Sequence, residues 1–392
     1  MKTYDMVQCV RSHYPEMLGI RKALQKIKIK RISRHMLSEK EIRICEENAA
    51  LKASVIAPYL DKWNKYLKSC YAEIEVMVEK APIFRGKYDN NTIITDMLFC
   101  RLAYGFLPSE YVSFDLVEKS PAERRTFYSD LDTSSFGYTV NNIVELQKVI
   151  NKSTSVIKYQ QYFKRDFLVI GSIDDYANFE EFVKKHPIFV KKKIDSAMGK
   201  GVELVDISNH QRDKFFNELI SVDKWLLEER VVQRTELACI NESSVNTVRC
   251  ITFKTNNGVI VPYCFLRSGR NGSFVDNGGA GGLLIGIDTE TGITNSDGFD
   301  EYGTVYKVHP ESGIAFRGFQ IPEWNKMIAI CKSAAEKETD MNYLSWDMAY
   351  SERGWCVIEV NAIGQLIGPQ IVSRRGIKIE INDYLTQMPH VV

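Results

Sequence analysis

Asp347 stands in a run of large apolar groups, Leu344 to Met348, and Glu359 and Asn361 stand in a second run, CVIEVNA. Carboxylates in an apolar setting are costly unless something compensates them. Residues i and i+2 of a strand share a face, so Glu359 and Asn361 point the same way. The intervening SERG reads as the turn of a hairpin that brings Asp347 beside them. Two carboxylates and an amide oxygen form a hard-oxygen set suited to Mg²⁺ bridging phosphates. A buried polar network serving the fold alone is the competing reading.

A second constellation is PIFVKKKIDSAMGKGVELVDI, which reads strand, glycine-bearing loop, strand. Gly199 and Gly201 permit close backbone approach, and loop N–H groups can point at an anion. Side chains alternate along a strand. Lys191 and Lys193 therefore share one face, expected to meet phosphate, and Lys192 looks the other way. A solvent-exposed basic hairpin is the plainer alternative. No GxxxxGKS or GxxxxGKT run leads into a helix, so this is not a Walker loop.

In KWLLEERVVQRTEL an apolar strand ends in Glu228 and Glu229, and Glu236 follows. Carboxylates leaving a buried strand can accept from a ribose hydroxyl or an adenine amino group; ordinary surface acids are the alternative. Further on, FLRSGRNGSFVDNGGAGG combines Arg267 and Arg270 with Asp276, Asn277 and four glycines from Gly278 to Gly282. Arginine forks suit carboxylate or phosphate groups. His309, in KVHPESG, could join them as donor or proton acceptor. A long connecting turn with solvent-facing arginines is the alternative.

The elements that must position these groups begin near residue 167. FLVIG, IFVKKKI, GVELVDI, KWLLEERVV, VRCITFK, GVIVPYCFL and GGLLIGID read as strands, bounded by Gly, Asn and Asp. DYANFEEFVKKH and PEWNKMIAICKSAAEKE read as intervening helices. Before them the chain is helical, with Pro58 interrupting the first long run and Pro82 following it. The expected division is a helical region over 1–90, a helical and irregular segment over 91–154, a lid over 155–235 and a body over 236–392. A length of 392 residues accommodates this, at roughly 150 residues per domain.

Composition excludes several function classes. Lys and Arg number 51 against 50 Asp and Glu, so no global field steers the protein to nucleic acid. The local exception is 21–34, seven Lys and Arg without an acid, read as a solvated face or a contact with acidic headgroups. No apolar run approaches the roughly 18 residues of a spanning helix. Nine cysteines stand no closer than eleven residues apart, which argues against a disulfide framework. A cytoplasmic protein with reduced thiols is expected.

Taken in order, lysine strand with glycine loop, Glu-bearing strand and Asp…Glu-x-Asn hairpin resemble the ATP-grasp superfamily over residues 155–375. SSVNTVRCITF, FVDNGGAGGLLIGID and VHPESGIAFRGFQIPEW look like its bacterial sugar-transfer-associated branch, and those proteins resemble products of surface-polysaccharide gene clusters. The resemblance implies an α+β fold in which two subdomains clasp ATP behind a helical N-terminal region. It places Glu229 and Glu236 on adenine and ribose, with the hinge backbone near Val231. It assigns Lys158 and Lys191 to phosphates, the flap around Ser196–Gly201 to closure, and Asp347, Glu359 and Asn361 to Mg²⁺. The D-alanine ligase branch has Arg two residues before the metal Asp; here Ser345 stands there, and Arg249 would supply the charge. The proline-glycine pair that follows the metal Asn in the family is absent.

The implied activity is ligation of a carboxylate to an amine through an acylphosphate, with ATP and Mg²⁺, on a surface-polysaccharide sugar or its precursor. The amine would be an amino acid or amino sugar. Phosphate transfer to a sugar or lipid-linked glycan, and a non-catalytic nucleotide-binding scaffold, are the alternatives.

Overall fold

The computed structural model describes residues 35–84, 86–194, 201–276 and 281–389, with isolated residues between 23 and 32. The basic segment 21–34 thus falls largely outside the described residues.

The N-terminal region is helical. Helix α1 (Glu39–Glu47) starts at a capping box in which Ser38 and Glu41 satisfy each other's backbone N–H groups. Helix α2 (Lys52–Lys80) runs through Pro58, so the expected break there is absent. Pro58 lies in the second turn of a long helix, whose packing outweighs one lost hydrogen bond. Helix α3 (Asn90–Tyr104) buries Met97, Phe99 and Cys100 against α2 and against Phe106 and Phe114. Inside this core Asp96 takes a two-pronged bond from Arg124, at 3.0 and 2.7 Å, and a third from Tyr111 at 2.6 Å. The same core reaches Phe299 and Ile371, which fastens the helical region to the body. Helices α4 (Asp130–Val140), α5 (Ile143–Ile150) and α6 (Lys152–Lys158) lead into the sheets.

The first sheet holds β1 (Phe167–Ile170), β2 (Ile188–Lys193), β3 (Val202–Asp206) and β4 (Trp225–Glu229), in the order β1-β4-β2-β3. Helices α7 (Tyr176–Lys185) and α8 (Arg212–Val222) cover one face through Phe179, Phe182, Phe215 and Phe216, which pack on Phe189, Trp225 and Leu227.

The second sheet holds β5 (Thr247–Thr255), β6 (Gly258–Ser268), β7 (Leu283–Ile287), β8 (Thr294–Phe299), β9 (Val305–Tyr306), β10 (Tyr343–Ser351) and β11 (Gly354–Asn361). Its order is β11-β10-β5-β6-β7-β8-β9, with every neighbouring pair antiparallel. Helix α9 (Trp324–Glu336) lays Met327, Cys331 and Ala334 into the same core as Val248, Cys250 and Leu266. Tyr128, Phe136 and Leu366 pack with Ile251, Phe253 and Tyr263 in a separate core. The chain closes with α10 (Ile367–Ser373) and α11 (Lys378–Gln387). Strands β8 and β9 were not expected from sequence. TNSDGF lacks apolar alternation, and its inward groups are small and polar: Ser296 Oγ accepts from Gly286 N–H at 2.7 Å.

Candidate functional site

Strands β11, β10 and β5 carry a polar row in register. Glu359 lies opposite Asp347, and Asp347 opposite Arg249. The hairpin thus brings the two carboxylates together. Its register shifts between Asp347 and Met348, which pair with Glu359 and Val357, so Ile358 is the extra residue of a β-bulge. Asn361 sits opposite Ser345, one step along the same face.

Two arginines hold Asp347. Arg249 Nη2 donates to Asp347 Oδ2 at 3.0 Å, and Arg249 Nε lies against Oδ1. Arg249 Nη1 reaches Ser345 Oγ at 3.3 Å. The small serine leaves room for a guanidinium arriving from the neighbouring strand. Arg267 Nη2 lies 3.1 Å from Asp347 Oδ2 and 3.3 Å from Asp276 Oδ1. Its Nε and Nη2 also donate to Thr247 Oγ1, at 3.0 and 2.8 Å. Burial pulls the Arg249 guanidinium below its ordinary pKa, with Asp347 opposing and Arg267 adding repulsion. Burial also works against the charge on Arg267, but Asp276 and Asp347 more than offset it and raise its pKa. Burial pushes the Asp276 carboxyl up, while Arg267 pulls it back.

The Glu359 and Asn361 side chains make no hydrogen bond or ion pair among the described residues. Three carboxylates (Asp276, Asp347 and Glu359) therefore face two guanidinium groups, and two oxygen-bearing side chains are unspent. That donor set fits a hard divalent cation.

Glu359 also lines a narrow recess, of about 20 Å³, between the two sheets. Lys192, Leu226 and Glu228 form one wall, Ile358 and Val360 the other, and Lys152 lies at its margin. Beyond β4, the main-chain groups of Arg230 and Val231 take no hydrogen bond among the described residues. An open stretch of peptide offers a donor and an acceptor to the edge of a planar base.

Several sequence-based placements need correction. Lys191 faces the helices: its ammonium lies 4.9 Å from the Trp225 ring and 3.0 Å from Glu203. Lys193 is paired with Asp223 at 2.9 Å. Lys192 is the strand lysine that enters the recess, where it meets Glu228. The strand phase is therefore one residue off the expected one. Glu228 is buried between Lys192 and Arg165; burial opposes its charge, but the two cations outweigh it and lower its pKa. Glu229 turns away to Arg353, at 2.6 Å, and to the N–H of Asp166. Glu236 is paired with Arg234 at 2.7 Å. Lys158 is spent on Glu145 and Glu338, at 2.6 and 2.8 Å.

His309 is fully buried, with Nε2 2.9 Å from Gly269 O and Nδ1 accepting from Glu311 N–H at 3.3 Å. Both ring nitrogens pin loops, and neither serves as the expected proton acceptor. Arg270 is likewise engaged, with Asp300 at 3.1 Å. Gly201 adopts φ +70°, while Ser196 and Gly199 lie outside the described residues. Lys152 was missed. Its signal was local: Asn151 Oδ1 accepts from Ser153 and Thr154 N–H, a helix N-cap that starts α6 at the edge of the recess.

The model of one family, sugar-transfer associated ATP-grasp, matches residues 133–384. The chain belongs to that family. Its α+β body carries the ATP-grasp fold behind a helical N-terminal region. No curated protein matches the chain. Among solved structures, the ATP-grasp ligase PsnB with a minimal precursor is 12% identical over 63% of this chain and 64% of its own, with TM-score 0.40. D-alanyl-alanine synthetase A from Vibrio cholerae O1 biovar eltor is 12% identical over 62% of this chain and 64% of its own, with TM-score 0.38. D-alanine–D-alanine ligase from Bacillus anthracis is 13% identical over 66% and 74%, with TM-score 0.39. The first two are matched over less than two thirds of their own length.

Proposed function

We propose that this ATP-grasp protein is an ATP-dependent carboxylate–amine ligase that works through an acylphosphate. The observation that carries the reading is the row Glu359–Asp347–Arg249, with the Glu359 carboxylate unspent at the recess and the Asn361 amide unspent one step along the strand. Asp347, Glu359 and Asn361 would hold Mg²⁺, which when bound neutralises phosphate charge. Lys152 and Lys192 would hold phosphates, and the peptide groups of Arg230 and Val231 would take the adenine edge. Arg249 and Arg267 would stabilise the negative charge that develops on the transferred group. The flap over 196–201 would exclude water, which otherwise hydrolyses an acylphosphate. The protein's part is positioning and charge neutralisation rather than covalent chemistry.

The family description supports a glycan setting. We assign the acceptor to a surface-polysaccharide sugar or its precursor, joined to an amino acid or amino sugar. We place the protein in the cytoplasm, with 21–34 as a peripheral contact to acidic headgroups. Among the described residues no helix is long and apolar enough to cross a membrane.

The test is incubation with ATP, Mg²⁺ and paired panels of sugar carboxylates and amines. The expected outcome is release of ADP and phosphate with a product mass equal to both substrates minus water. A stable phosphoester would assign phosphate transfer instead. Absence of any nucleotide binding would overturn the reading.

A further inference from the structure

The segment that enters the first sheet contains an arginine that sequence does not mark. Arg165 is 9% exposed and lies between the two sheets. On the side of the first sheet, its Nη2 donates to Glu228 Oε1 at 2.7 Å. On the side of the second, Nη1 donates to Val357 O at 2.6 Å and Nη2 to Ile358 O at 3.3 Å. A further bond from Nη1 to Phe163 O, at 3.2 Å, and the Phe163 ring 4.6 Å beneath fix the plane of the guanidinium.

Those two carbonyls belong to the β-bulge. Asp347 pairs with Glu359 and Met348 with Val357, which leaves Ile358 as the inserted residue. A bulge disrupts the ladder locally and re-aims the side chains beside it. A one-residue slip in pairing would turn the strand over at this point. Ile358 would then stand opposite Asp347, and the Glu359 carboxylate would leave the polar row. Carbonyls displaced from the ladder need donors, because an unpaired buried polar group is costly. Arg165 supplies both.

We propose that Arg165 is a positioning residue: its guanidinium fixes the bulge at Val357–Ile358 and so decides that Glu359 stands opposite Asp347. This inference rests on the reading of Asp347 and Glu359 as cation ligands. It also ties the two halves of the site together, because Glu228, on the wall of the recess, anchors the guanidinium that sets the metal-side register. Arg353 provides an internal control. It joins Glu229 of the same strand to the β10–β11 turn, yet makes no contact with the bulge carbonyls among the described residues.

The test is calorimetric titration with ADP, first in EDTA and then across a Mg²⁺ series, for wild type, Arg165→Lys and Arg353→Lys. A lysine keeps the charge beside Glu228 but lacks the fork that reaches two carbonyls. Arg165→Lys should raise the Mg²⁺ concentration at half effect between roughly ten- and a hundred-fold, the usual cost of losing a partner behind a metal ligand. Metal-free ADP affinity should change far less than the Mg²⁺ midpoint, because the lysine keeps a positive charge beside Glu228, the partner Arg165 shares with Lys192. Arg353→Lys should leave the Mg²⁺ midpoint in place.

An unchanged midpoint in Arg165→Lys, or an equal rise in Arg353→Lys, overturns the proposal. A wild-type protein that binds ADP with no Mg²⁺ dependence overturns the metal reading and this inference with it. One that binds no ADP overturns the nucleotide reading as well. Should Arg165→Lys fail to fold, Arg165→Met removes the fork while Lys192 still neutralises Glu228. The same shift in midpoint is expected of that variant, and an unchanged midpoint counts against the proposal.

Discussion

The ammonium of Lys192 lies against the buried carboxylate of Glu228, while Lys191 points to the opposite face of β2 and stacks over Trp225. The recess therefore draws on one lysine of the KKK run and not on its neighbours. Lys192→Ala should weaken binding of a non-hydrolysable ATP analogue about ten-fold or more, the cost of a charge-assisted hydrogen bond. Lys191→Ala should leave affinity near wild type and instead loosen the packing on Trp225. Calorimetric titration of the two variants decides between the faces. A larger loss in Lys191→Ala would return the strand to the phase expected from sequence.

Asp347 and Glu359 face each other, yet their surroundings differ. Asp347 is tied to two buried arginines, and Glu359, which only feels their charge, makes no hydrogen bond or ion pair among the described residues. Asp347→Asn and Glu359→Gln should both abolish Mg²⁺-dependent ATP turnover. Only Asp347→Asn should also destabilise the fold, by about 3–5 kcal/mol, because it leaves two buried guanidinium groups short of their counter-charge. Urea unfolding of both variants measures this. Equal stability losses would mean that Glu359 has a structural partner after all. Wild-type turnover in either variant would remove that residue from the cation set.

The hairpin was legible because its signal is long. Apolar runs on both sides of SERG fix two strands, and strands joined by a short turn must pair. The phase of β2 was not legible. Three successive lysines carry no alternation, so only the neighbouring apolar residues could set the face. Phe189 packs under α7 and α8, and Lys191, two residues on, follows it to that side. The same ambiguity affected Glu228 and Glu229, adjacent acids on opposite faces of β4 with different arginine partners. Arg165 was invisible for another reason. Its partners are backbone carbonyls nearly two hundred residues away, and a bulge leaves no mark in the sequence of one strand. His309 looked reactive because sequence does not report that both ring nitrogens are already bonded.

Glu110 gives a pH dependence that belongs to the helical region. It is 4% exposed, and its Oε2 accepts from the N–H groups of Leu107 and Asp130 at 2.9 and 3.1 Å. Burial first, and then the charge of Asp130, pushes its carboxyl up to about 8, from an ordinary 4.5. The folded state thus holds a proton that the unfolded chain releases above pH 4.5. The resulting stabilisation is complete below pH 4.5 and is lost as pH rises through about 8. Glu110→Gln keeps the acceptor oxygen and removes the ionisation. Relative to this variant, the wild type should lose melting temperature steadily between pH 5 and 8. Parallel Tm curves for the two proteins would show that Glu110 does not titrate in the fold.

Arg267, whose fork the sequence offers to a carboxylate or phosphate, is bound on three sides, by Thr247, Asp276 and Asp347. Its Asp276 partner is itself held by Thr247, whose N–H donates to Asp276 Oδ2 at 3.0 Å. Removing the arginine strands the Asp276 carboxylate in a buried setting, so Arg267→Ala should cost about 3–5 kcal/mol of folding stability. Asp276→Ala should be destabilising for the mirror-image reason. Because each single change leaves the other charge uncompensated, the double variant should lose less than the sum, by about 0.5–3 kcal/mol. Urea unfolding of the four proteins gives the coupling directly. Strict additivity would mean that Asp276 does not hold Arg267, leaving the guanidinium to swing toward a substrate carboxylate. A measured coupling instead describes an arginine fixed before substrate arrives, with Asp347 as its remaining contact. In that case the loss of ligation in Arg267→Ala should be accompanied by a changed Mg²⁺ requirement, which a purely substrate-binding arginine would not alter.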